Sequence, residues 1–386
     1  MGNQSTKAIV SVIVPVYNAA PYLEQCLDGI RSQTLTDIEI ICVDDGSTDK
    51  SPEILKEYAE KDDRFRIITQ TNIGLGGARN RGLDKANGKY LSFLDADDIF
   101  EPGMLKNAVD VCEKYDADYC AFLYDTDIER TDNTKSFGRG INLALLPANV
   151  PFSKENISHD IFNIFNTAVW NKVYRMDFIK SNNIRFQEMR KAEDVYFSGA
   201  ALIHAKKIVA IGRCFVHYRT NVATSITNSI NDTPWGCAQE GALAIKDLLQ
   251  EKGIYETYRR DLINHVLFLY LYLLDHLKGK NYIDCIETIN SSWGDAFGLF
   301  SEEAEFFYDR FSYLRLEKIK SRDPLACALF DRAVYLSQRN DWMLAAFQQK
   351  NLVAERDQAI GKISNSKAYK AGKAITTLGG LIKEKK

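Results

Sequence analysis

The chain has 386 residues, 45% hydrophobic and 26% charged, with 23 Gly and 8 Pro, a composition that excludes a largely disordered or collagen-like chain. Its length allows one large core or two moderate ones. Formal net charge is −3, from 49 basic and 52 acidic residues, so no global positive field recruits nucleic acid.

Strand and helix signals alternate through the first third. Ile9 to Tyr17 is a nearly continuous apolar run, as expected of a strand covered on both faces. Pro21 to Gln33 reads as a helix and Ile38 to Val43 as a second strand. Ser47 and Asp49 offer caps for a helix through Ile54, Leu55 and Tyr58. Phe65 to Thr69 is a third strand, Gly76 to Ala86 a helix, and Lys89 to Leu94 a fourth strand. Pro102 opens another helix to Tyr115, and Asp118 to Tyr124 is again strand-like. This rhythm predicts an α/β domain: a Rossmann-like, mostly parallel sheet with helices on both faces.

Residues 125–160 are polar and irregular, which predicts an excursion over the sheet or a lid, and strand character returns at Lys207 to Tyr218. Helical periodicity takes over in Ala238 to Gln250, Tyr255 to Leu277, Ile283 to Ile289, Ser301 to Ile319 and Pro324 to Ala346. The expected organisation is an α/β domain over 1–230, a helical domain over 231–340, and a helical, basic tail over 341–386. Residues 362–386 hold seven Lys and one Glu, net +6, leaving −9 for the chain before them. In that tail Ala371, Ile375, Leu378 and Ile382 recur at helical spacing among the lysines, which suits peripheral contact with an anionic membrane. A frayed, solvated end reads equally well, and Gly372, Gly379 and Gly380 favour it.

The eight cysteines are scattered, with no Cys-x-x-Cys and no ligand-like spacing with the five histidines, which fits a reducing cytoplasm. The N-terminus carries no stretch resembling a signal peptide, and the longest apolar run, Val266 to Leu274, is too short to span a bilayer. The expected location is cytoplasmic, possible contact with the inner face of the membrane included.

Parallel sheets bind ligands beyond the carboxyl ends of their strands. The second strand ends in Asp44-Asp45-Gly46-Ser47 and the fourth in Asp95-Ala96-Asp97-Asp98. Acids at neighbouring strand ends repel one another, and a divalent cation with oxygen ligands would offset that cost. One such tip alone reads equally well as a helix cap. Two in one α/β domain point to a cation site.

Val12-Ile-Val-Pro-Val-Tyr-Asn18, Val43-Asp-Asp-Gly-Ser-Thr-Asp49, Asn72-Ile-Gly-Leu-Gly-Gly-Ala-Arg-Asn80 and Phe93-Leu-Asp-Ala-Asp-Asp98 together resemble the successive blocks of family-2 glycosyltransferases with the GT-A fold. The resemblance covers roughly the first hundred residues. It implies inverting transfer of a hexosyl or N-acetylhexosaminyl unit from a nucleotide-diphospho-sugar, UDP by default, with Mg²⁺ or Mn²⁺ at the Asp-x-Asp motif. A divalent cation would stabilise the charge that grows on a diphosphate as the glycosidic bond breaks. By the resemblance Asp97 is the direct metal ligand, with Asp95 near metal and ribose and Ala96 between them. Pro15, Tyr17 and Asp44 or Asp45 would line the base and ribose pocket, and Arg79 would reach base or phosphates.

Inversion needs a carboxylate to take the proton of the acceptor hydroxyl. Lys191-Ala-Glu193-Asp194-Val-Tyr-Phe197 resembles the block that supplies it, with Asp194 as base and Glu193 beside it; an acid-rich helix start is the plainer reading. Thr167 to Tyr174 resembles a segment common in bacterial members, in which Trp170, Asn171 and Lys172 would line the acceptor side, though Trp170 reads equally as core. His217-Tyr-Arg219, followed by Ser225-Ile-Thr227, resembles a block closing over the diphosphate. Arg219 would pair with phosphate oxygens, and His217 would be a structural histidine or a third metal ligand. The implied acceptor is a growing glycan or lipid-linked glycan in bacterial capsule, O-antigen or other surface-polysaccharide synthesis.

Three rival readings fit the residues less well. Gly74-Leu-Gly-Gly-Ala-Arg79 breaks the dinucleotide fingerprint, because Arg79 stands where the third Gly belongs. Asp95 and Asp97 follow the fourth strand, whereas a phosphatase nucleophile pair is expected after an early one. A catalytically silent glycan-binding or scaffold protein on this fold would have no need of Asp97 or Asp194, and both are present.

Overall fold

The computed structural model describes residues 8–126, 140–146, 150–189, 191–220 and 236–331. Their α/β part runs β1 (Val10–Val16), α1 (Ala20–Arg31), β2 (Ile38–Asp44), α2 (Ser51–Lys61), β3 (Phe65–Thr69), α3 (Leu75–Lys85) and β4 (Tyr90–Phe93). It continues with β5 (Ile99–Phe100), α4 (Met104–Tyr115), β6 (Tyr119–Asp125), β7 (Lys172–Arg175), α5 (Met176–Ser181), α6 (Glu193–His204) and β8 (Ile208–His217).

All seven residues of β1 are buried, which is what a central strand covered on both faces requires. The helices covering the sheet bury one stripe each: Leu23, Cys26, Leu27 and Ile30 on α1, and Met104, Leu105, Ala108, Val109 and Cys112 on α4. Strand order is β3-β2-β1-β4-β7-β6-β8-β5. β1 pairs in parallel with β2 and β4, and β2 with β3; β7 runs antiparallel between β4 and β6. Strand order reverses at β1, so a crevice opens where the carboxyl ends of β1, β2 and β4 meet. Val16 lies level with Asp44, and Ile13 with Phe93, so the acidic tips of β2 and β4 flank the end of β1.

β6 and β8 pair in parallel with register shifts after Phe122 and Leu123, a bulge that brings Asp125 opposite His217. Within the irregular region expected over 125–160, Phe152 bridges Ile208 and is buried, so part of that segment belongs to the core.

The helices α7 (Cys237–Glu251), α8 (Tyr255–His276) and α9 (Lys280–Thr288) follow. Residues Met1–Leu316 form one compact unit and Glu317–Lys386 a second, so the change of class near residue 230 falls inside a unit. Close approach of α6 and α7 explains why: a Cβ on Gly199 would meet Ile245 Cδ1 at 2.4 Å, and one on Gly241 would meet Val195 Cβ at 2.8 Å. Of the second unit, residues 317–331 are described. The basic stretch 362–386 and the Ser225 to Thr227 block lie outside the described residues. Among the described residues no helix is long and apolar enough to cross a membrane.

Candidate active site

The tips of β1 and β2 are laced together by short polar side chains. Asn18, with φ of 51°, accepts from the Thr48 N–H through Oδ1 at 2.8 Å, and its own N–H donates to Ser47 Oγ at 3.0 Å. Pro15 is buried in β1, whereas Tyr17 is 48% exposed at the mouth of the crevice. Asp44 and Asp45 are both buried but differently used. Asp44 accepts the Ser47 N–H at 3.0 Å. Asp45 accepts from Gln70 Nε2 at 2.8 Å and from the N–H groups of Ile73 and Gly74 at 3.0 and 2.9 Å, fixing the approach to α3.

The β4 tip has fewer donors. Ala96 is buried, and Asp97 is half-buried beside Asp95. Burial, reinforced by the charge of Asp95 and opposed by Arg219, lifts the Asp97 carboxyl to about 6. Asp98 is buried and pushed well up, by desolvation first and by the Asp97 and Asp95 charges next. Its Oδ1 accepts the Arg219 N–H at 3.0 Å, while Oδ2 has no partner among the described residues. Arg219 is itself buried, donating from Nε to the Asp97 carbonyl at 3.0 Å and from Nη2 to Gln25 Oε1 at 2.8 Å. Its guanidinium therefore holds the acidic loop in shape.

Arg79 is the hub. Buried on α3, it donates from Nη2 to Asp95 Oδ1 at 2.6 Å and from Nη1 to Glu193 Oε1, and it lies 5.4 Å over the Phe186 ring. The sequence points Arg79 towards base or phosphates; the structure gives it two carboxylates far apart in the chain. Close packing enforces this: a Cβ on Gly76 would lie 2.1 Å from the Gln187 carbonyl oxygen and 3.0 Å from Glu193 Cβ. Asn80 pins the same segment by exchanging hydrogen bonds with the Phe186 backbone, at 2.9 and 3.0 Å.

Glu193 and Asp194 open α6 behind Ala192, whose φ of 55° makes the turn that presents them. Glu193 is buried, Asp194 half-buried. Burial pushes both carboxyls up and Arg79 pulls both back; the Thr167 hydroxyl, donating to Asp194 Oδ2 at 3.2 Å, adds to the pull on Asp194.

Trp170, Asn171 and Lys172 are all buried. Trp170 stacks on Tyr218 at 5.3 Å and meets the Tyr124 ring edge-on at 4.6 Å. Asn171 donates to the Phe122 carbonyl at 3.0 Å. The acceptor side that the sequence assigned to these three has other surface candidates on α8, where Phe268 and Tyr272, 53% and 40% exposed, stand one turn apart. The Asp194 charge reaches Tyr272, whose hydroxyl is raised by burial first and by Asp194 next. Alternation in sequence gave no hint of these residues, which sit in the longest apolar run of the chain.

The His217 ring lies between Asp125 Oδ1, 2.8 Å from Nδ1, and Glu101 Oε1, 3.0 Å from Nε2. Burial opposes its charge, but the two carboxylates outweigh that and raise its pKa. Each ring nitrogen is thus within hydrogen-bond distance of a carboxylate, and His217, Asp125 and Cys214 bring their polar atoms together.

A mostly parallel sheet, an acidic loop at its switch point and a second carboxylate pair delivered by a helix start define a nucleotide-sugar transferase architecture. A family model described as Glycosyl transferase family 2 matches residues 11–181. Over 268 residues the chain is 34% identical to a Bacillus subtilis protein named as a glycosyltransferase, EpsH, covering 66% of this chain and 72% of that one. It is 30% identical over 191 residues to the chondroitin synthase of Escherichia coli, covering 48% of this chain and 27% of that one. Among solved structures, S. aureus TarS 1–349 in complex with UDP-GlcNAc matches with a TM-score of 0.64 at 19% identity, over 85% of this chain and 92% of that one. The chain belongs to glycosyltransferase family 2.

Proposed function

We propose that this enzyme transfers a hexosyl or N-acetylhexosaminyl unit, with inversion, from a UDP-sugar to a hydroxyl of a glycan or lipid-linked glycan during surface-polysaccharide synthesis. The observation that carries it is the single Arg79 guanidinium joining Asp95 of the β4 tip to Glu193 of the α6 start. It ties the acidic loop suited to a cation and donor diphosphate to the helix start that carries Asp194.

Asp97, raised by burial and by the charge of Asp95, and Asp95, held by Arg79 through one oxygen, fit a hard divalent cation such as Mg²⁺ or Mn²⁺. Such an ion, when bound, supplies Lewis-acid stabilisation of the departing diphosphate. Asp44, less committed than Asp45, and exposed Tyr17 would take ribose and base. Asp194 takes the proton from the acceptor hydroxyl, and its raised pKa makes it a better base than a solvated carboxylate. Glu193 and Arg79 fix its helix. Phe268 and Tyr272 offer aromatic faces to an acceptor sugar.

Nucleotide release should be measured over a panel of UDP-, GDP- and dTDP-sugars, with and without Mn²⁺; metal-dependent release from one sugar fixes class and donor. Glycan binding without release from any donor would refute catalysis. Asp194→Asn should keep donor affinity by calorimetry while turnover falls by roughly a hundredfold or more. Loss of donor binding together with activity would place Asp194 in the donor site instead.

A further inference from the structure

Lys172 begins β7 and is buried, yet among the described residues no carboxylate lies within ion-pair distance of its Nζ. Burying an ammonium without a counter-charge is costly, so its contacts need an account. Nζ donates to the Ala168 carbonyl, to the Asn166 carbonyl at 3.3 Å and to Asn171 Oδ1 at 2.9 Å. Three oxygens match the three donors of an ammonium. Two of them are the backbone carbonyls of the residues on either side of Thr167, and that residue holds α6 at two points. Its hydroxyl donates to Asp194 Oδ2 at 3.2 Å, and its carbonyl accepts from Ser198 Oγ at 2.6 Å.

The cavity beside Lys172 and Thr167 is about 20 Å³, room for one water and far too small for a sugar ring. Lys172 Nζ already directs its donors to three protein oxygens. We infer that Lys172 is a positioning residue for the base: it clamps the Asn166–Ala168 turn so that the Thr167 hydroxyl holds the Asp194 carboxylate in one orientation. This rests on the reading of Asp194 as the base. Burial pulls the Lys172 ammonium down to about 7, and the Asp194 charge opposes that fall, so the two groups are also coupled through space.

The test is a double-mutant cycle read as nucleotide release from the best donor of the panel above, with UDP and Mn²⁺ as the calorimetric binding probe. Lys172→Met and Thr167→Val should each lower kcat by about tenfold or more, with donor KM and UDP affinity within about twofold of the parent. The double variant should lose little more than the larger single loss, because both substitutions break one chain of contacts. Thr167→Ser, which keeps the hydroxyl, should recover most of the rate. A purely structural lysine would give additive losses, or losses in UDP affinity that parallel kcat, and either result overturns the inference. So does kcat within about twofold of the parent for Thr167→Val, which decides the matter should Lys172→Met fail to fold. Full turnover in Asp194→Asn would overturn the base assignment and this inference with it. An inactive Asp194→Asn beside a fully active Lys172→Met would overturn this inference alone.

Discussion

The tips of β2 and β4 carry nearly the same local sequence, Asp44-Asp45 and Asp97-Asp98, and put it to opposite uses. At β2 the loops supply donors: Asp45 takes three hydrogen bonds and becomes a fastening for the approach to α3. At β4 donors are scarce, so Asp97 and Asp98 are raised by burial and by their neighbours, and one oxygen of Asp98 has no described partner. An acidic pair at a strand end is structural where backbone N–H groups converge on it, and keeps unspent negative charge where they do not. Unspent charge is what a cation and a diphosphate can use.

The largest expected effect tests the β4 side. Asp97→Ala should abolish transfer and weaken donor binding, while its melting temperature stays level or rises because a half-buried, repelled carboxylate has gone. Thermal melts beside nucleotide-release assays check both halves. Near-native turnover of the parent enzyme in excess EDTA would remove the metal from the scheme.

The β2 tip should answer in the reverse order. Asp45→Ala strands the Gln70 amide and the Ile73 and Gly74 N–H groups, costing about 1–3 kcal/mol of stability. Activity should drop only partially, through a displaced α3, and denaturant titration should show the midpoint shift. Unchanged stability with full loss of donor binding would make Asp45 a ligand-contacting residue and erase the contrast between the tips.

Much of this was legible in the chain. β1, β2 and β4 announce themselves because strands buried on both faces form apolar runs, and acids follow β2 and β4 directly. β5 and β7 did not: two residues are too short to set up a period, and Lys172-Val-Tyr-Arg175 is not an apolar run. The carboxylates stand out in the sequence, but their partners do not. Arg79 meets Glu193 across 114 positions and Arg219 meets Asp98 across 121, separations that leave no local pattern. Lys172, expected from the resemblance on the acceptor side, is buried against the Asn166 and Ala168 carbonyls, contacts that no local pattern announces.

The smallest expected effect on catalysis concerns residues 362–386, whose net charge of +6 contrasts with the acidic body before them. All the proposed site residues precede the tail, so deleting it should leave turnover on a soluble acceptor analogue unchanged. Vesicle binding should respond instead. Each lysine near an anionic surface contributes about 1 kcal/mol, screened within a Debye length, so six net charges give strong binding at low salt and weak binding at high salt. Co-sedimentation with phosphatidylglycerol vesicles across a salt series separates the cases. Salt-sensitive binding lost on truncation would make the tail a membrane anchor that brings the crevice to a lipid-linked acceptor. Equal binding by full-length and truncated protein would leave it a solvated end, and lost turnover on the soluble acceptor would mean that the tail supports the site itself.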